Sequence, residues 1–527
     1  MSEALAVKSL SLRIGETHIL SGINLTLRAG EITGLVGRSG SGKSMTALGI
    51  MGLTPRSAVT SGEIILDGEN LISLDEKAMC AIRGRKVAMI FQEPMTALNP
   101  LQPIGVQVAE TFLTHSDISR ADAIKKASET LTRVGMPPDE ISPKRRPHEL
   151  SGGQRQRVVI AIAIAMTPQI LIADEPTTAL DVTTQAEILD LLKTLATEDN
   201  IALLLITHDL AVVSSIADRV AVIKDGSIVA NSPVEHFYKR DANEVAGEFL
   251  PARVKRHTSL RADKEIVLKV ENIVCEYRQN HTLFAGSSSF TAVDNISFKI
   301  AKGENLGLVG ESGCGKSTLA KAMLALHPLA KGQVTIDGKV FPAVSKKDMR
   351  RMRQKIQIVF QDPYSSFNPR QRIIDIVTEP LHLLDQPFSA SEKLERAIAL
   401  LNSVGLDDAA AAKHPHEFSG GQRQRIAIAR ALATEPSIIV LDEATSALDI
   451  AARNKVLDLL QSLSHERGVS FLFITHDLSV IRDITDRVMV MRNGKIVESG
   501  PTEDVFLNPA EPYTRTLIDA APVIEWR

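Results

Sequence analysis

Cysteine is scarce in this sequence of 527 residues, which contains only Cys80, Cys275 and Cys314. The three residues are scattered singly. This spacing excludes a disulfide framework and every zinc or iron–sulfur site that is built on CxxC pairs. We therefore expect reduced thiols, as in a cytosolic protein, and no iron–sulfur cluster.

Aromatic residues and long apolar runs are scarce as well. Aromatic residues make up 4% of the chain, which argues against a base-stacking sheet and against the aromatic belt of a membrane protein. The longest apolar runs, such as residues 201–206, fall far short of the roughly 20 residues that cross a bilayer. The N-terminus also lacks the charged and apolar regions of a signal peptide, so we expect a soluble chain.

Neither sign of charge dominates, because 60 Lys and Arg residues oppose 63 Asp and Glu residues. The formal net charge of -3 argues against a broadly basic nucleic-acid binder, and we expect no nucleic-acid partner. Short basic runs at 83–86, 144–146 and 346–355 suit either lipid headgroups or a solvated surface, and the solvated surface is favoured.

An internal duplication organises the chain, because five motifs occur in each half in the same order. The paired segments are GLVGRSGSGKS (34–44) and GLVGESGCGKS (307–317), FQEPMTALNP (91–100) and FQDPYSSFNP (360–369), LSGGQRQR (150–157) and FSGGQRQR (418–425), ADEPTTALD (173–181) and LDEATSALD (441–449), and LITHDL (205–210) and FITHDL (473–478). The spacing between motifs agrees within a few residues, so two similar units are predicted.

The periodicity of each half predicts an α/β unit. Short apolar runs at 87–91, 170–173 and 202–206 are typical of strands buried on both faces, as in a mostly parallel sheet. Amphipathic helices lie between the second and third motifs of each half. Their apolar residues are Ile124, Ala127, Leu131 and Val134 before Gly135, and Leu394, Ile398, Leu401 and Val404 before Gly405.

These patterns also predict the domain boundaries. The first unit spans 1–245 with a helical subdomain at about 95–160, and the second spans 265–527 with a helical subdomain at about 363–430. Residues 246–264 have mixed charge and no clear period, which is typical of a linker.

Both halves contain the pattern GxxxxGK[ST], at 37–44 and 310–317. Such a loop joins a strand to a helix, and its backbone N–H groups and the positive helix end face phosphates. Lys43 and Lys316 would reach the β- and γ-phosphates of a nucleotide. A lone match is compatible with an ordinary glycine-rich turn, but two matches favour nucleotide binding. The predicted binding residues are Gly37, Ser39, Gly40, Gly42, Lys43 and Ser44, and Gly310, Ser312, Gly313, Gly315, Lys316, Ser317 and Thr318.

An acidic pair follows an apolar strand in each half, where open α/β sheets place their ligands. Asp174 and Asp442 suit a Mg²⁺ ion that the hydroxyls of Ser44 and Ser317 also contact. The next residue of each pair, Glu175 or Glu443, suits a general base that polarises water. An acidic pair alone is more often a helix cap or turn, and the phosphate loop upstream favours the catalytic interpretation.

The segments LSGGQRQR and FSGGQRQR lie between a phosphate loop and an acidic strand end, and in this order they resemble the signature of the ATP-binding cassette (ABC) superfamily. The resemblance covers nearly the whole chain. It implies two tandem P-loop ABC ATPase cassettes that bind ATP and Mg²⁺. The implied residues are the Q-loop Gln92 and Gln361, which would also contact Mg²⁺, the D-loop Asp181 and Asp449, the catalytic switch histidines His208 and His476, and the signatures Ser151, Gly152, Gly153, Gln154 and Ser419, Gly420, Gly421, Gln422.

The resemblance further implies that each ATP is sandwiched between the cassettes, so that one chain acts as an intramolecular pseudo-dimer. The site containing Lys43 would face Ser419, and the site containing Lys316 would face Ser151. ABC cassettes also stack adenine on an aromatic residue before the phosphate loop. Tyr277 stands there in the second half, whereas the first half has Ile14, with His18 as the nearest ring.

A narrower resemblance concerns EPMTALNP, DPYSSFNPR and the C-terminal NPAEPYTRTLIDAAP. These segments are similar to ATPases of dipeptide and oligopeptide importers, and the fused form looks most like those of the microcin C type. The resemblance implies a peripheral ATPase on the cytoplasmic face of the inner membrane, with two integral membrane permease subunits and a substrate-binding protein. Many such ATPases carry a C-terminal iron–sulfur cysteine cluster, but no cysteine follows Cys314.

Two alternatives remain beside peptide import. A soluble twin-cassette protein of the translation-factor type would act without membrane subunits. Such proteins usually have a long charged helical linker, whereas only about 25 residues are unassigned between the halves here. A nucleotide-binding scaffold without turnover is the other alternative, and the presence of both Glu175 and Glu443 argues against it.

Overall fold

The structure of the chain is a computed structural model. It describes residues 2–38, 40–92, 94–178, 180–237, 265–279, 288–341, 345–362, 365–445, 448 and 450–521. The described residues up to 237 belong to one unit and those from 265 onward to a second. The predicted linker at 246–264, Ser39 and Asp449 lie outside the described residues.

The first unit alternates strands and helices along the chain. Its strands are β1 (Glu3–Ile14), β2 (Thr17–Arg28), β3 (Ile32–Val36), β4 (Ala58–Leu66), β5 (Glu69–Asn70), β6 (Val87–Ile90), β7 (Ile170–Asp174), β8 (Ala202–Thr207), β9 (Arg219–Lys224) and β10 (Ser227–Pro233). Its helices are α1 (Lys43–Ile50), α2 (Glu76–Ile82), α3 (Pro94–Ala97), α4 (Ile104–His115), α5 (Arg120–Arg133), α6 (Gly152–Ile164), α7 (Val182–Glu198), α8 (Leu210–Ile216) and α9 (Val234–Phe237), with 3₁₀ turns at Leu71–Ser73 and Pro147–Glu149.

A six-stranded sheet in the order β10-β9-β3-β8-β7-β6 forms the centre of this unit, and all its pairs are parallel except β9 with β10. Every residue of β3, β7 and β8 is buried, because helices α4 to α7 cover one face of the sheet, and α1 together with an antiparallel sheet covers the other. These three strands are neighbours, so their carboxyl ends at Val36, Asp174 and Thr207 lie side by side. The segments that follow them carry three of the predicted motifs.

A second, antiparallel sheet in the order β2-β1-β4-β5 packs its apolar residues into the core that α1 also joins. The sequence patterns do not predict this sheet. Leu5, Val7, Leu10 and Leu12 are buried, and the alternation breaks at Ser9, which has a φ of 48° beside a register shift. Such a bulge inserts an extra residue and hides the two-residue period of a long strand.

Helices α3 to α6 occupy the chain between β6 and β7. The buried side of α5 carries Ala123, Ala127 and Leu131, whereas Ile124 is 46% exposed. The predicted apolar stripe was therefore wrong at Ile124, because a one-residue step turns the side chain by about 100° around the helix. Gly135 ends the helix as predicted, with a φ of 77° and the hydrogen bond from Met136 N to Leu131 O at 2.9 Å that is typical of a left-handed cap.

The second unit repeats this order. Its strands are β11 (Ile266–Gln279), β12 (Ser288–Ala301), β13 (Asn305–Val309), β14 (Lys331–Ile336), β15 (Lys339–Phe341), β16 (Ile356–Val359), β17 (Ile438–Asp442), β18 (Ser470–Ile474), β19 (Arg487–Arg492) and β20 (Lys495–Pro501). Its helices are α10 (Lys316–Met323), α11 (Lys346–Lys355), α12 (Ile373–Thr378), α13 (Ala390–Ser403), α14 (Gly420–Leu432), α15 (Ile450–Arg467), α16 (Leu478–Ile484), α17 (Thr502–Leu507) and α18 (Pro512–Asp519), with 3₁₀ turns at Glu379–Leu383, Asp408–Ala412 and Pro415–Glu417.

The sheets of the second unit have the orders β16-β17-β18-β13-β19-β20 and β12-β11-β14-β15, which match those of the first unit. The prediction of α/β units with mostly parallel sheets is thus confirmed. In α13 the predicted apolar stripe was again wrong at its first residue, because Leu394 is 43% exposed and the buried face begins at Ala397. Among the described residues, no helix combines the length and the apolar character that a membrane span requires.

Candidate functional site

The first phosphate loop connects β3 to α1. Its first glycine is required by a close approach, because a Cβ at Gly37 would lie 2.5 Å from the carbonyl oxygen of Ile223. At the other end, Gly42 adopts a φ of 106° and immediately precedes the helix. Lys43 begins α1, and its buried Nζ donates to the carbonyl oxygens of Gly37 at 2.8 Å and Arg38 at 3.0 Å. The ammonium group thus folds back over the loop, where phosphate oxygens would compete for it.

The second phosphate loop, between β13 and α10, has the same construction. A Cβ at Gly310 would lie 2.2 Å from the carbonyl oxygen of Met491. The Nζ atom of Lys316 donates to the carbonyl oxygens of Gly310 at 2.7 Å and Glu311 at 2.8 Å. Each unit therefore presents a buried lysine ammonium inside a turn of backbone N–H groups, which is an arrangement suited to the phosphates of a nucleotide.

The acidic pairs stand at the ends of β7 and β17. Glu175 and Glu443 follow the last strand residues with φ values of 48° and 51°, a left-handed conformation that costs a non-glycine residue about 1 to 3 kcal/mol. The backbone N–H of Glu175 donates to Ile206 O at 2.8 Å, and that of Glu443 donates to Ile474 O at 2.7 Å. Both units therefore hold the same strained backbone at the same place, which aims the carboxylate away from the strand.

Each glutamate carboxylate is the centre of a three-residue cluster. In the first unit, Gln92 Nε2 donates to Glu175 Oε2 at 2.8 Å, and His208 Nδ1 lies 3.0 Å from Glu175 Oε1. Thr178, which the sequence analysis does not predict, donates its hydroxyl to Glu175 Oε2 at 3.0 Å. The structure thus brings together residues from the segments after three adjacent strands, β6, β7 and β8.

The second unit forms the same cluster. Gln361 Nε2 donates to Glu443 Oε2 at 2.6 Å, and His476 Nδ1 lies 3.3 Å from Glu443 Oε1. Because an amide and an imidazole flank the carboxylate in both units, each glutamate is held in one orientation beside the phosphate loop. This is the geometry of a preorganised general base.

The electrostatics of each cluster favour a charged pair. Burial opposes the charge of Glu175, but the hydrogen bond and the charge of His208 outweigh burial and lower the pKa of Glu175. Burial likewise works against the charge of His208, and Glu175 outweighs it and raises the pKa of His208. The pKa values of Glu443 and His476 shift in the same directions for the same reasons. Both glutamates are therefore carboxylates at neutral pH, each stabilised by the neighbouring histidine.

The environment of the aspartates shifts their pKa in the opposite direction to that of the glutamates. Burial raises the pKa of Asp174 and of Asp442, and the neighbouring serine hydroxyls, Ser44 and Ser317, only partly offset it. Ser317 Oγ lies 3.3 Å from Asp442 Oδ1. The buried Oδ1 atom of Asp174 accepts no hydrogen bond from any described residue.

A divalent cation fits this arrangement, because its positive charge would stabilise the carboxylate form of each buried aspartate. The serine hydroxyl and the aspartate carboxylate of each unit would hold Mg²⁺, which neutralises phosphate charge when it is bound. The glutamine amide groups, predicted as further metal contacts, donate their N–H to the glutamates in this structure.

The signature serines begin helices α6 and α14. Ser151 Oγ accepts from Gln154 N at 3.2 Å, and Gln154 Oε1 accepts from Ser151 N at 3.0 Å, which forms a capping box. Ser419 and Gln422 repeat it at 3.4 and 3.0 Å. A Cβ at Gly153 would lie 2.3 Å from Thr184 Cγ2, so α6 packs directly against α7. Each signature therefore presents a rigid helix N-terminus, as anion binding requires.

The D-loop residue Asp181 caps α7 by accepting from Thr184 N at 3.1 Å.

The two units differ in an ion pair that the sequence patterns do not predict. In the second unit, the guanidinium of Arg453 on α15 donates to the carboxylate of Asp477, the residue after His476. Burial opposes the charge of Asp477, and Arg453 contributes most to the lowered pKa of Asp477. The corresponding residue of the first half is the uncharged Gln185, a difference that a comparison of the repeats reveals.

Tyr277 stands beside the second phosphate loop, near the end of β11. Its hydroxyl lies 3.2 Å from Thr318 Oγ1, its ring centroid is 4.6 Å from that of His327, and its side chain is 41% exposed. In the first unit Ile14 is the last residue of β1 and pairs with Thr17 across the turn. The exposed ring thus has an aliphatic counterpart in the first unit.

We expect this difference to make ATP binding unequal at the two phosphate loops. A base–aromatic stack is worth about 1 to 3 kcal/mol, so the loop containing Lys43 should bind ATP about tenfold more weakly than the loop containing Lys316. ATP titration of Lys316→Ala and Lys43→Ala chains isolates the two loops. Ile14→Tyr should strengthen the first, and the matched Tyr277→Ile should weaken the second. Equal affinities for ATP and equal discrimination against GTP would contradict the expectation.

The sequence of this chain matches known protein families and relatives. Residues 20–178 and 293–446 each match the family model described as ABC transporter, and residues 497–527 match the model described as oligopeptide/dipeptide transporter, C-terminal region. The peptidoglycan transport ATP-binding protein YejF of Agrobacterium fabrum is 43% identical over 531 residues, which cover 99% of this chain and 97% of that protein.

Two further relatives and two solved structures are similar. The glutathione import ATP-binding protein GsiA is 42% identical in Salmonella typhimurium (95% of this chain and 86% of that protein) and 41% identical in Escherichia coli O157:H7 (99% and 90%). A dimeric ATP-binding cassette bound to ADP and Pi has a TM-score of 0.41 at 30% identity, covering 45% of this chain and 98% of that chain. The cbiO1 protein of Clostridium perfringens has a TM-score of 0.40 at 28% identity, covering 47% and 92%.

Proposed function

Since the chain belongs to the ABC transporter family, we propose that it is the ATP-hydrolysing subunit that energises an importer of peptides or peptide-like compounds. Membership of the family confirms the resemblance inferred from the repeated motifs. The observation that carries the proposal is the cluster of Gln, Glu and His beside a phosphate loop, which forms in both units. A chain with two complete clusters is equipped for turnover rather than for binding alone.

The proposed roles of the residues combine the geometry within each unit with the roles that the resemblance to ABC cassettes implies, including the pairing of the two halves. The phosphate-loop residues of each half bind ATP, with the adenine on Tyr277 in the second. The Ser44–Asp174 and Ser317–Asp442 pairs hold Mg²⁺, together with Gln92 and Gln361. Glu175 and Glu443 polarise the attacking water, and His208 and His476 contact the γ-phosphate. The signatures that begin at Ser151 and Ser419 complete the two sites, each for the phosphate loop of the other half.

The transported compound is proposed from the relatives and from the C-terminal region. YejF and GsiA are named for the transport of peptidoglycan and the import of glutathione, and both names indicate peptide-like compounds. Residues 497–527 match a region of oligopeptide and dipeptide transporters. These names support import over the translation-factor alternative.

The proposed partners are two integral membrane permease subunits and an extracytoplasmic substrate-binding protein, and the proposed location is the cytoplasmic face of the inner membrane. Each cassette would dock on one permease. The cassettes are proposed to span 1–245 and 265–527, joined by a linker at 246–264. In the described residues, helices α3 to α6 and α12 to α14 support the proposed helical subdomains at about 95–160 and 363–430.

Deleting the gene in the native host tests this function. We expect the deletion strain to lose uptake of radiolabelled dipeptides, oligopeptides or glutathione. Wild-type protein should restore it, and the Lys43→Ala, Lys316→Ala chain should not. Lys86→Ala is a matched control, because this exposed lysine pairs with Asp67 outside the site. Undiminished uptake of all three compounds in the deletion strain, or purification of the tagged chain with ribosomes instead of membrane proteins, would contradict the proposal.

A further inference from the structure

The C-terminal segment of the second unit packs next to a phosphate loop. After β20 the chain forms α17 and then α18, whose residues Tyr513 and Leu517 are buried. The Glu498 carboxylate on β20 accepts the backbone N–H groups of Ala510 at 2.8 Å and Glu511 at 3.2 Å. The start of α18 is therefore tied to the edge strand of the parallel sheet.

Tyr513 connects this helix to the phosphate loop itself. Its side chain is 6% exposed, and its hydroxyl oxygen accepts the backbone N–H of Glu311 at 3.1 Å. The guanidinium of Arg492, at the end of β19, lies 4.5 Å from the ring centroid. Burial raises the pKa of Tyr513 to about 12, so the hydroxyl stays neutral at physiological pH. Both the ring and the hydroxyl are thus held in place.

Glu311 is the second residue of the loop at 310–317. Its carbonyl oxygen accepts Lys316 Nζ at 2.8 Å and the backbone N–H of Cys314 at 3.3 Å. Lys316 Nζ also donates to the carbonyl oxygen of Gly310, which belongs to the same peptide group as the Glu311 N–H. This peptide group therefore connects Tyr513 on its N–H side to the phosphate-binding lysine on its carbonyl side. Loop geometry decides how well the backbone N–H groups converge on a phosphate, so a contact that fixes Glu311 bears on nucleotide affinity.

The two halves of the sequence differ at the position of Tyr513. Pro233 and Pro501 end the corresponding strands β10 and β20. If the two sequences are aligned at these prolines without gaps, Val245 aligns with Tyr513. The side chain of valine cannot accept a hydrogen bond, and Arg38 takes the place of Glu311 in the loop. The second half therefore has a phenol hydroxyl at a position of the sequence where the first half has an aliphatic side chain.

We propose that Tyr513 is a positioning residue for the second phosphate loop, through which helix α18 of the C-terminal region sets the affinity of that loop for ATP. The proposal rests on the proposed function, because it assumes that the loop binds ATP. It gives residues 497–527 a task within the cassette: movement of α18 changes nucleotide affinity at this loop alone. Conversely, ATP bound at this loop stabilises the docked position of α18, since the coupling of two equilibria is reciprocal.

The test uses the full-length chain with Lys43→Ala, in which ATP binds to the second loop, and compares Tyr513 with Tyr513→Phe. Phenylalanine keeps the ring beside Arg492 and removes only the acceptor of the Glu311 N–H. We expect the Kd for Mg²⁺-ATP to rise about threefold to tenfold, the effect of one lost hydrogen bond. Hydrogen exchange at the Glu311 amide should become faster, and the melting temperature without nucleotide should fall by no more than about 2 to 4 °C, the effect of one lost hydrogen bond in a unit of this size.

The Lys316→Ala chain is the matched control, because it reports the first loop. There, Tyr513→Phe should leave the Kd unchanged. An equal Kd with and without the hydroxyl in the Lys43→Ala chain, or equal weakening at both loops, would overturn the positioning role. Absence of ATP binding in the Lys43→Ala chain with Tyr513 intact would overturn the proposed function and this inference with it.

Discussion

Replacing both Glu175 and Glu443 with glutamine is expected to slow ATP hydrolysis by at least about 100-fold, the usual contribution of a general base, while ATP binding persists. Each carboxylate lies beside a phosphate loop, and His208 or His476 contacts its Oε1 atom. A neutral amide cannot take a proton from water. Steady-state turnover and nucleotide affinity, measured on the same preparation, separate the two effects.

Glutamine is an informative substitution here, because it removes the negative charge of the side chain and keeps most of its other properties. It has the size of glutamate, keeps an oxygen that accepts from Gln92 or Gln361, and meets the same backbone strain at φ values near 50°. Glu76→Gln and Glu271→Gln are matched controls, since these glutamates pair with Arg83 and Lys269 far from the loops in sequence. Hydrolysis at the wild-type rate in the double variant would show that another group activates the water.

The centre of each unit could be predicted from sequence because its physical causes are local. A strand buried on both faces must be apolar throughout, so β7 and β8 appear as unbroken apolar runs. The glycine pattern of a phosphate loop and the acidic pair at a strand end are short motifs. Adjacent parallel strands bring their carboxyl ends together, and for this reason Glu175 and His208, which are 33 residues apart, meet in the folded unit.

The remaining features of the fold and the site could not be predicted, because they depend on contacts between residues that are far apart in the sequence. The bulge at Ser9 obscures β1, and the buried face of α5 is set by the helices around it rather than by its own composition. Tyr513 and Glu311 are 202 residues apart, and Arg453 and Asp477 join a helix to the loop after a different strand. Only the difference between the repeats hinted at them, because a tyrosine and an arginine stand where the first half has Val245 and Gln185.

The two units therefore differ around similar clusters. The second has Tyr277 beside the loop, Tyr513 on the loop backbone and Arg453 on the residue after the histidine. The first has Ile14, Val245 and Gln185 at the corresponding places of the sequence. All three differences supply the second half with a contact to its nucleotide-binding segments, so we expect the second loop to bind ATP more tightly.

A pair of double variants is expected to reveal which signature serves which phosphate loop. If the halves complement each other, as the resemblance implies, Ser419→Arg disables the site of Lys43, and Lys316→Ala disables the other. The chain with both changes should lose ATP turnover by about 100-fold or more, because each site has lost groups that stabilise phosphate charge. The matched chain, Ser151→Arg with Lys316→Ala, carries both changes in one site and should keep turnover at the site of Lys43.

The comparison of Ser419→Arg with Ser151→Arg controls for the effect of the arginine on its own helix. Ser151 and Ser419 have the same capping role on α6 and α14, so arginine costs each helix about 1 kcal/mol of capping free energy in either chain. Ser419→Ala with Lys316→Ala removes the cap without adding a charge, and it should lie between the two arginine variants in turnover. If each loop instead used the signature of its own half, Ser419→Arg with Lys316→Ala would spare the site of Lys43. Retained turnover in that chain would therefore refute the crossed arrangement.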